Sequence, residues 1–195
     1  MKIAYLVLAY LLGTISFGYL FFRLGEGKDI RGLGSRSTGA TNVFRLKGWK
    51  YALPVLVFDV FKAILPVWLA MKIFNDRRLA LWTAFAVVVG HCFPIFLKFK
   101  GGKGVSTAMG AYLVLAPQPF LFSLAVFIGV IAATRYVSLG SLLATLTFPL
   151  LALFLKGDRG LAWLGLAVFA VIFIRHWGNV QRLKCGQERK FGQKE

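Results

Sequence analysis

The chain has 195 residues, 58% of them hydrophobic, with a mean hydropathy of +0.70, whereas soluble domains run at about 45–50% apolar. It carries 24 Lys and Arg against 7 Asp and Glu, a formal charge of +17, yet only 16% of its residues are charged, so the cations are concentrated in a few places. This excludes a soluble nucleic-acid binder, whose basic residues are spread through a polar sequence, and leaves an integral membrane protein with cationic edges.

A transmembrane helix needs about 20 mainly apolar residues. The first apolar run, residues 3–22, follows Met1 and Lys2 as a signal peptide would. No small-x-small cleavage site closes it and it is long enough to span, so it is read as a retained first helix. Spans follow at 51–73 and 79–97. The run 105–133 is too long for one helix and is interrupted by Pro117, Gln118 and Pro119, so it divides into two short spans, 105–116 and 120–133. Residues 141–155 and 161–180 complete seven. The segment 23–50 holds seven cations (Arg23, Lys28, Arg31, Arg36, Arg45, Lys47 and Lys50) and two acids, Glu26 and Asp29. Seven spans with the N-terminus outside place this segment on the cytoplasmic side with Lys98, Lys100, Lys103, Arg135 and the basic tail 182–195, as the positive-inside rule requires. Fusing the fourth and fifth spans would put the tail outside. The expected fold is all-α: a polytopic membrane protein with seven transmembrane helices, some short, N-terminus outside and C-terminus cytoplasmic, forming a single domain over 1–195. Cys92 lies in an apolar stretch and Cys185 in the basic tail, and no disulfide framework or zinc spacing is present.

Four polar clusters interrupt this apolar background. The loop from Gly32 to Arg45 contains Ser35, Gly39, Thr41 and Asn42, a mixture of glycine, hydroxyl and amide in which converging N–H groups suit a phosphate or carboxylate. The second runs from His91 to Thr107 through Gly101, Gly102, Lys103 and Gly104. It is no P-loop, because Gly104 and not Ser or Thr follows the lysine and no glycine precedes at the required spacing. The third spans Arg135 to Ser141. The fourth, His176 to Leu183, places His176 and Asn179 three apart on one helix face. In the seven-span topology the first three clusters precede helices two, four and six. Three helix N-termini, with Arg45 and Lys103, then face one compartment and define an anion site. His91 reads as a helix-packing residue. Asp59 and Lys62, i and i+3 within the second span, read as a structural ion pair.

The segments GSRSTGATNVFR, GHCFPIFLKFKGGKGVST and HWGNVQRLKCGQERK resemble, in order and spacing, the three signatures of the bacterial acyl-phosphate:glycerol-3-phosphate acyltransferases. The resemblance covers nearly the whole chain, and the second signature is the most specific. It implies an inner-membrane enzyme, multi-pass with its active site facing the cytoplasm, that transfers a fatty acyl group from acyl phosphate to the 1-hydroxyl of glycerol 3-phosphate. The products would be lysophosphatidate and phosphate, at an early step of phospholipid synthesis, with no cofactor and no metal. It assigns Ser35, Arg45, Lys103, His176 and Asn179 as catalytic, and Gly39, Thr41, Asn42, Gly101, Gly102, Gly104, Ser141 and Glu188 as substrate-binding. One departure stands out: Arg36 and Ser37 occupy places where the family usually has Gly and Asn.

The residue chemistry agrees in kind. Neither histidine is followed by an aspartate at the His-x4-Asp spacing of another acyltransferase class: Phe96 follows His91 and Gln181 follows His176. A direct attack of the glycerol hydroxyl on the acyl carbonyl is expected, with the 35–42 loop cradling the donor phosphate and Arg45 and Lys103 offsetting its charge. His176 or the departing phosphate takes the hydroxyl proton, and Ser35 is read as a binder or as a nucleophile. The rival readings are a transporter using the same anion site and a structural membrane protein with headgroup contacts. Neither repeated halves nor a matching pair of broken helices supports the transporter.

Overall fold

The computed structural model describes residues 1–193. Their regular structure is helical: ten α-helices, namely α1 (Lys2–Thr14), α2 (Phe17–Glu26), α3 (Ala40–Lys47), α4 (Trp49–Lys72), α5 (Arg77–Cys92), α6 (Val105–Leu115), α7 (Pro117–Thr134), α8 (Val137–Lys156), α9 (Arg159–Arg175) and α10 (Trp177–Lys184). Short polar turns set the helix starts on one edge of the molecule. Asp76 and Asp158 each accept from a backbone N–H three residues ahead, at 2.9 and 3.0 Å, capping α5 and α9.

Five segments are long and apolar enough to cross a membrane: Lys2–Glu26, Trp49–Lys72, Arg77–Leu97, Pro117–Thr134 and Val137–Lys156. The pair α9 and α10, bent by 65° at His176, makes a sixth if counted as one span, and α6 is apolar but has only 11 residues. The expected boundaries shift in four places. The first span is broken at Ile15 and Ser16 into α1 and α2. The third helix stops at Cys92 and continues as a tight turn, Ile95–Leu97. Pro117 and Pro119 do not form a turn between helices; they open α7, where a missing N–H is harmless. The sixth expected span begins at Val137, not at residue 141.

Small residues bring the helix backbones together, as is usual where lipid supplies no hydrophobic drive between helices. Gly13 of α1 lies against the Val87 carbonyl of α5, and Gly90 of α5 against the Tyr10 carbonyl of α1, so that a Cβ at either would overlap backbone. Gly110 of α6 meets the Val60 carbonyl of α4 in the same way, and Gly165 of α9 packs on Pro149 of α8. Val67, Val87, Val88, Phe148 and Ile172 fill the space between these contacts, while Trp68, Trp82, Phe122, Phe154 and Trp163 stay exposed on the outside. A second, smaller apolar cluster of Phe22, Ile30, Val43, Ala52 and Val55 fixes α2 and α3 against the start of α4.

Candidate active site

The first polar cluster is half loop and half helix: Thr41, Asn42 and Arg45 lie in α3 and only residues 33–39 are loop. Asn42 organises that loop. Its Oδ1 accepts from the Ser35 N–H at 2.8 Å, and its Nδ2 donates to the Ser37 carbonyl at 2.8 Å and the Leu33 carbonyl at 3.2 Å. The Asn42 side chain, buried, is thus committed to the loop and not to a ligand. Arg36 sits at φ +56°, in the left-handed region, which explains the usual glycine at this place in the resembled pattern; a non-glycine there costs about 1–2 kcal/mol.

The second cluster is clamped from two sides. The N–H groups of Gly101 and Gly102 donate to the Cys92 and His91 carbonyls at 3.3 and 3.1 Å. Their own carbonyls accept from Arg175 Nη2 at 2.8 Å and Nε at 3.0 Å. Gly104 then turns with φ +86°, pressed so closely on Cys92 that a Cβ would stand 2.8 Å from its Sγ. This turn delivers Lys103 into a polar chain. Lys103 Nζ donates to Asn179 Oδ1 at 2.6 Å, and Asn179 Nδ2 donates to Glu188 Oε1 at 2.6 Å. Ser138 Oγ reaches the same oxygen at 2.9 Å, and Arg182 Nε donates to Glu188 Oε2 at 2.8 Å. Burial, with the charges of Arg45, Arg182 and Arg175 adding to it and Glu188 opposing, pushes the Lys103 ammonium down to about 7. Burial would raise the Glu188 carboxyl, but the hydrogen bonds from Asn179, Ser138 and Arg182 outweigh it and hold it below the usual carboxylate range.

His176 stands at the bend between α9 and α10. Its Nδ1 lies 2.8 Å from the Ile172 carbonyl; a carbonyl only accepts, so Nδ1 carries a proton, and whenever the ring is neutral its Nε2 presents a lone pair. The tail returns over these groups. Phe191 stacks on Phe44 with centroids 5.0 Å apart, and its N–H donates to the Arg135 carbonyl at 2.6 Å.

These elements enclose a cavity of about 260 Å³. Ser35, Gly39, Thr41, Asn42 and Arg45 line it, as do Lys103, Gly104, Ser141, His176, Asn179 and Glu188. Four clusters far apart in sequence are therefore brought to one place. Gly101 and Gly102 lie behind the wall and serve through their grip on Arg175. Sequence reasoning missed the Phe191 and Trp49 rims, and it took His91, part of the wall, for packing alone. Arg175 also escaped notice, since its partners are backbone carbonyls that no side-chain pattern announces. Apolar side chains, among them Leu56, Met109, Phe127 and Ile131, make up much of the remaining lining. A smaller apolar cavity of about 30 Å³ shares Met109 and Phe127 and extends between α6, α7 and α8.

A bundle of membrane-length helices around a pocket lined both by basic and by apolar side chains defines an integral membrane protein with a candidate site at the ends of its helices. The family model described as glycerol-3-phosphate acyltransferase matches residues 3–186. Glycerol-3-phosphate acyltransferase from Trichlorobacter lovleyi is 44% identical over 183 residues, 94% of each chain. That from Aquifex aeolicus is 41% identical over 194 residues, 98% of this chain and all of the relative. The crystal structure of PlsY (YgiH), an integral membrane glycerol 3-phosphate acyltransferase, in its glycerol 3-phosphate form superposes with a TM-score of 0.93 at 38% identity, covering 98% of this chain and 96% of the other. Its lysophosphatidic acid form gives 0.89 at 37% identity. The chain belongs to the glycerol-3-phosphate acyltransferase family.

Proposed function

We propose that the protein transfers a fatty acyl group from acyl phosphate to the 1-hydroxyl of sn-glycerol 3-phosphate, releasing lysophosphatidate and phosphate at the cytoplasmic face of the bacterial inner membrane. The observation that carries this reading is the mixed lining of the cavity. Lys103, Arg45 and the hydroxyls of Ser35 and Ser141 offer partners to an anion, and Met109, Phe127 and Ile131 offer apolar surface to an acyl chain. The matched crystal forms, with glycerol 3-phosphate and with lysophosphatidic acid, support an acceptor and product of this chemistry. In this reading α6 counts as a span, the chain crosses seven times, and the N-terminus lies outside, so that the basic loops and the tail share the cytoplasmic side.

The chemistry needs no covalent intermediate. The acceptor oxygen bonds to the acyl carbon, the carbon–oxygen bond to the phosphate breaks, and the hydroxyl proton passes to His176 Nε2 or to the leaving phosphate. Arg45 and Lys103 stabilise the charge that develops on that phosphate. Ser35 binds; it is not needed as a nucleophile, because acyl phosphate already carries a good leaving group. Asn179 and Glu188 hold Lys103 in place.

The test is a donor comparison on detergent-purified protein with glycerol 3-phosphate: acyl phosphate against acyl-CoA and acyl carrier protein. Lysophosphatidate and stoichiometric phosphate from acyl phosphate alone are expected. Turnover from a thioester and none from acyl phosphate would overturn the donor assignment, and no acylation from any donor would overturn the function.

A further inference from the structure

The ion pair of α4 is more than a helix-packing device. Lys62 Nζ has three protons and three acceptors: the Ile15 carbonyl at 2.7 Å, Asp59 Oδ1 at 2.7 Å and His91 Nδ1 at 2.9 Å. An ammonium cannot accept a hydrogen bond, so His91 Nδ1 holds a lone pair toward it and the ring proton resides on Nε2. A doubly protonated ring would set an N–H against an ammonium, and Asp59 Oδ1, 3.6 Å from Nδ1, is too far to take that proton. His91 is therefore a neutral imidazole with a defined tautomer.

Its Nε2–H has no hydrogen-bond partner among the described residues, although the side chain is 2% exposed. The ring forms part of the wall of the reaction cavity, and the unpartnered Nε2 is not wholly sealed by protein. The ring packs on Gly102 so closely that a Cβ there would overlap Nε2, so only glycine leaves the imidazole its place in the wall. A buried donor with its proton fixed, in a wall otherwise built for an anion, calls for an acceptor oxygen from the ligand.

We infer that His91 is a further substrate-binding residue, its Nε2–H donating to a phosphate oxygen of a substrate, with the Asp59–Lys62 pair as the positioning device that fixes the tautomer. The inference rests on the reading of the cavity as a phosphate site. A neutral donor adds a directed hydrogen bond without adding charge to a pocket that already holds Lys103, Arg45 and Arg182 near one another.

Two measurements test it. The first is nitrogen-15 NMR of the backbone amides and histidine side chains in the wild-type protein in nanodiscs, titrated separately with glycerol 3-phosphate and with a non-hydrolysable acyl phosphonate. The expected spectrum gives His91 a protonated Nε2 and a bare Nδ1, and the His91 Nε2–H signal moves together with the Ser35 amide. An Nδ1–H tautomer or an imidazolium overturns the inference, as does a Ser35 shift with His91 unmoved by either ligand. If neither moves, the phosphate-site reading itself fails. The second is steady-state kinetics of His91→Phe and His91→Gln, with thermal unfolding as the folding check. A hydrogen bond to a charged group corresponds to roughly 10- to 100-fold in affinity. His91→Phe is expected to raise KM by that factor with a smaller change in kcat, and His91→Gln, which restores an N–H, to recover most of it. A rise confined to glycerol 3-phosphate assigns the acceptor's phosphate, and one confined to acyl phosphate assigns the donor's. Unchanged KM for both in a folded His91→Phe protein overturns the inference.

Discussion

Lys103 is where burial and chemistry meet most directly. Its ammonium is pushed down to about 7; in the proposed function the charged form grips a phosphate, so deprotonation would weaken binding as pH rises through that value. The KM for acyl phosphate is expected to climb above pH 7, toward tenfold per unit, in a steady-state pH series. Lys103→Arg, with a cation that keeps its proton, should lose that inflection. Arg45→Ala and Lys103→Ala are expected to abolish turnover and Ser35→Ala to weaken it severely; wild-type rates in either basic variant would sink the assignment of these two to the site. Asn42 offers a different kind of test. Removing its three loop hydrogen bonds should destabilise the protein by about 3 kcal/mol, visible as a lower midpoint in thermal unfolding, before any effect on chemistry is read.

The helix contacts make a second set of expectations. Gly90→Val places a side chain against the Tyr10 backbone and should separate α1 from α5, whereas Gly129→Ala in α7, with nothing nearby, should be neutral or slightly stabilising. Paired unfolding curves of the two variants check this. The helices themselves were largely legible, because lipid-facing and core-facing residues alike are apolar and each long run announces itself. The break at Ile15 and Ser16 was not. Its stabilising partner is Lys62, 47 residues away, which captures the Ile15 carbonyl freed by the break. The start of α7 was misplaced for a local reason: two prolines read equally well as a turn or as a first helical turn. The polar clusters that share the cavity were legible because glycines, hydroxyls and cations interrupt the apolar runs. Phe191 was hidden within a tail whose charge dominated its reading, and only contact with Phe44 and Trp49 gives it a place.

Across the whole molecule, the tail closes what the bundle leaves open. Glu188 binds Asn179, Ser138 and Arg182, and Phe191 covers Phe44, so residues near the end of the chain complete a site begun before residue 40. Phe191→Ala should loosen this cover and raise the ratio of acyl phosphate hydrolysed to acyl group transferred, measured as phosphate release against lysophosphatidate formed. The short α6 has a consequence of its own. Eleven residues rise about 16 Å and the 18 of the adjoining α7 about 27 Å, in a bilayer whose hydrocarbon layer is about 30 Å thick. The two helices are joined through Ala116; in the proposed seven-span topology, with both along the bilayer normal, they start level on one side and end unevenly on the other, which would set the Lys103 turn roughly 10 Å below the rim that α7 reaches. In that reading the pocket is a well sunk into the oily layer: the water-soluble partner would descend into it, while the greasy partner would reach the same depth without its tail leaving lipid.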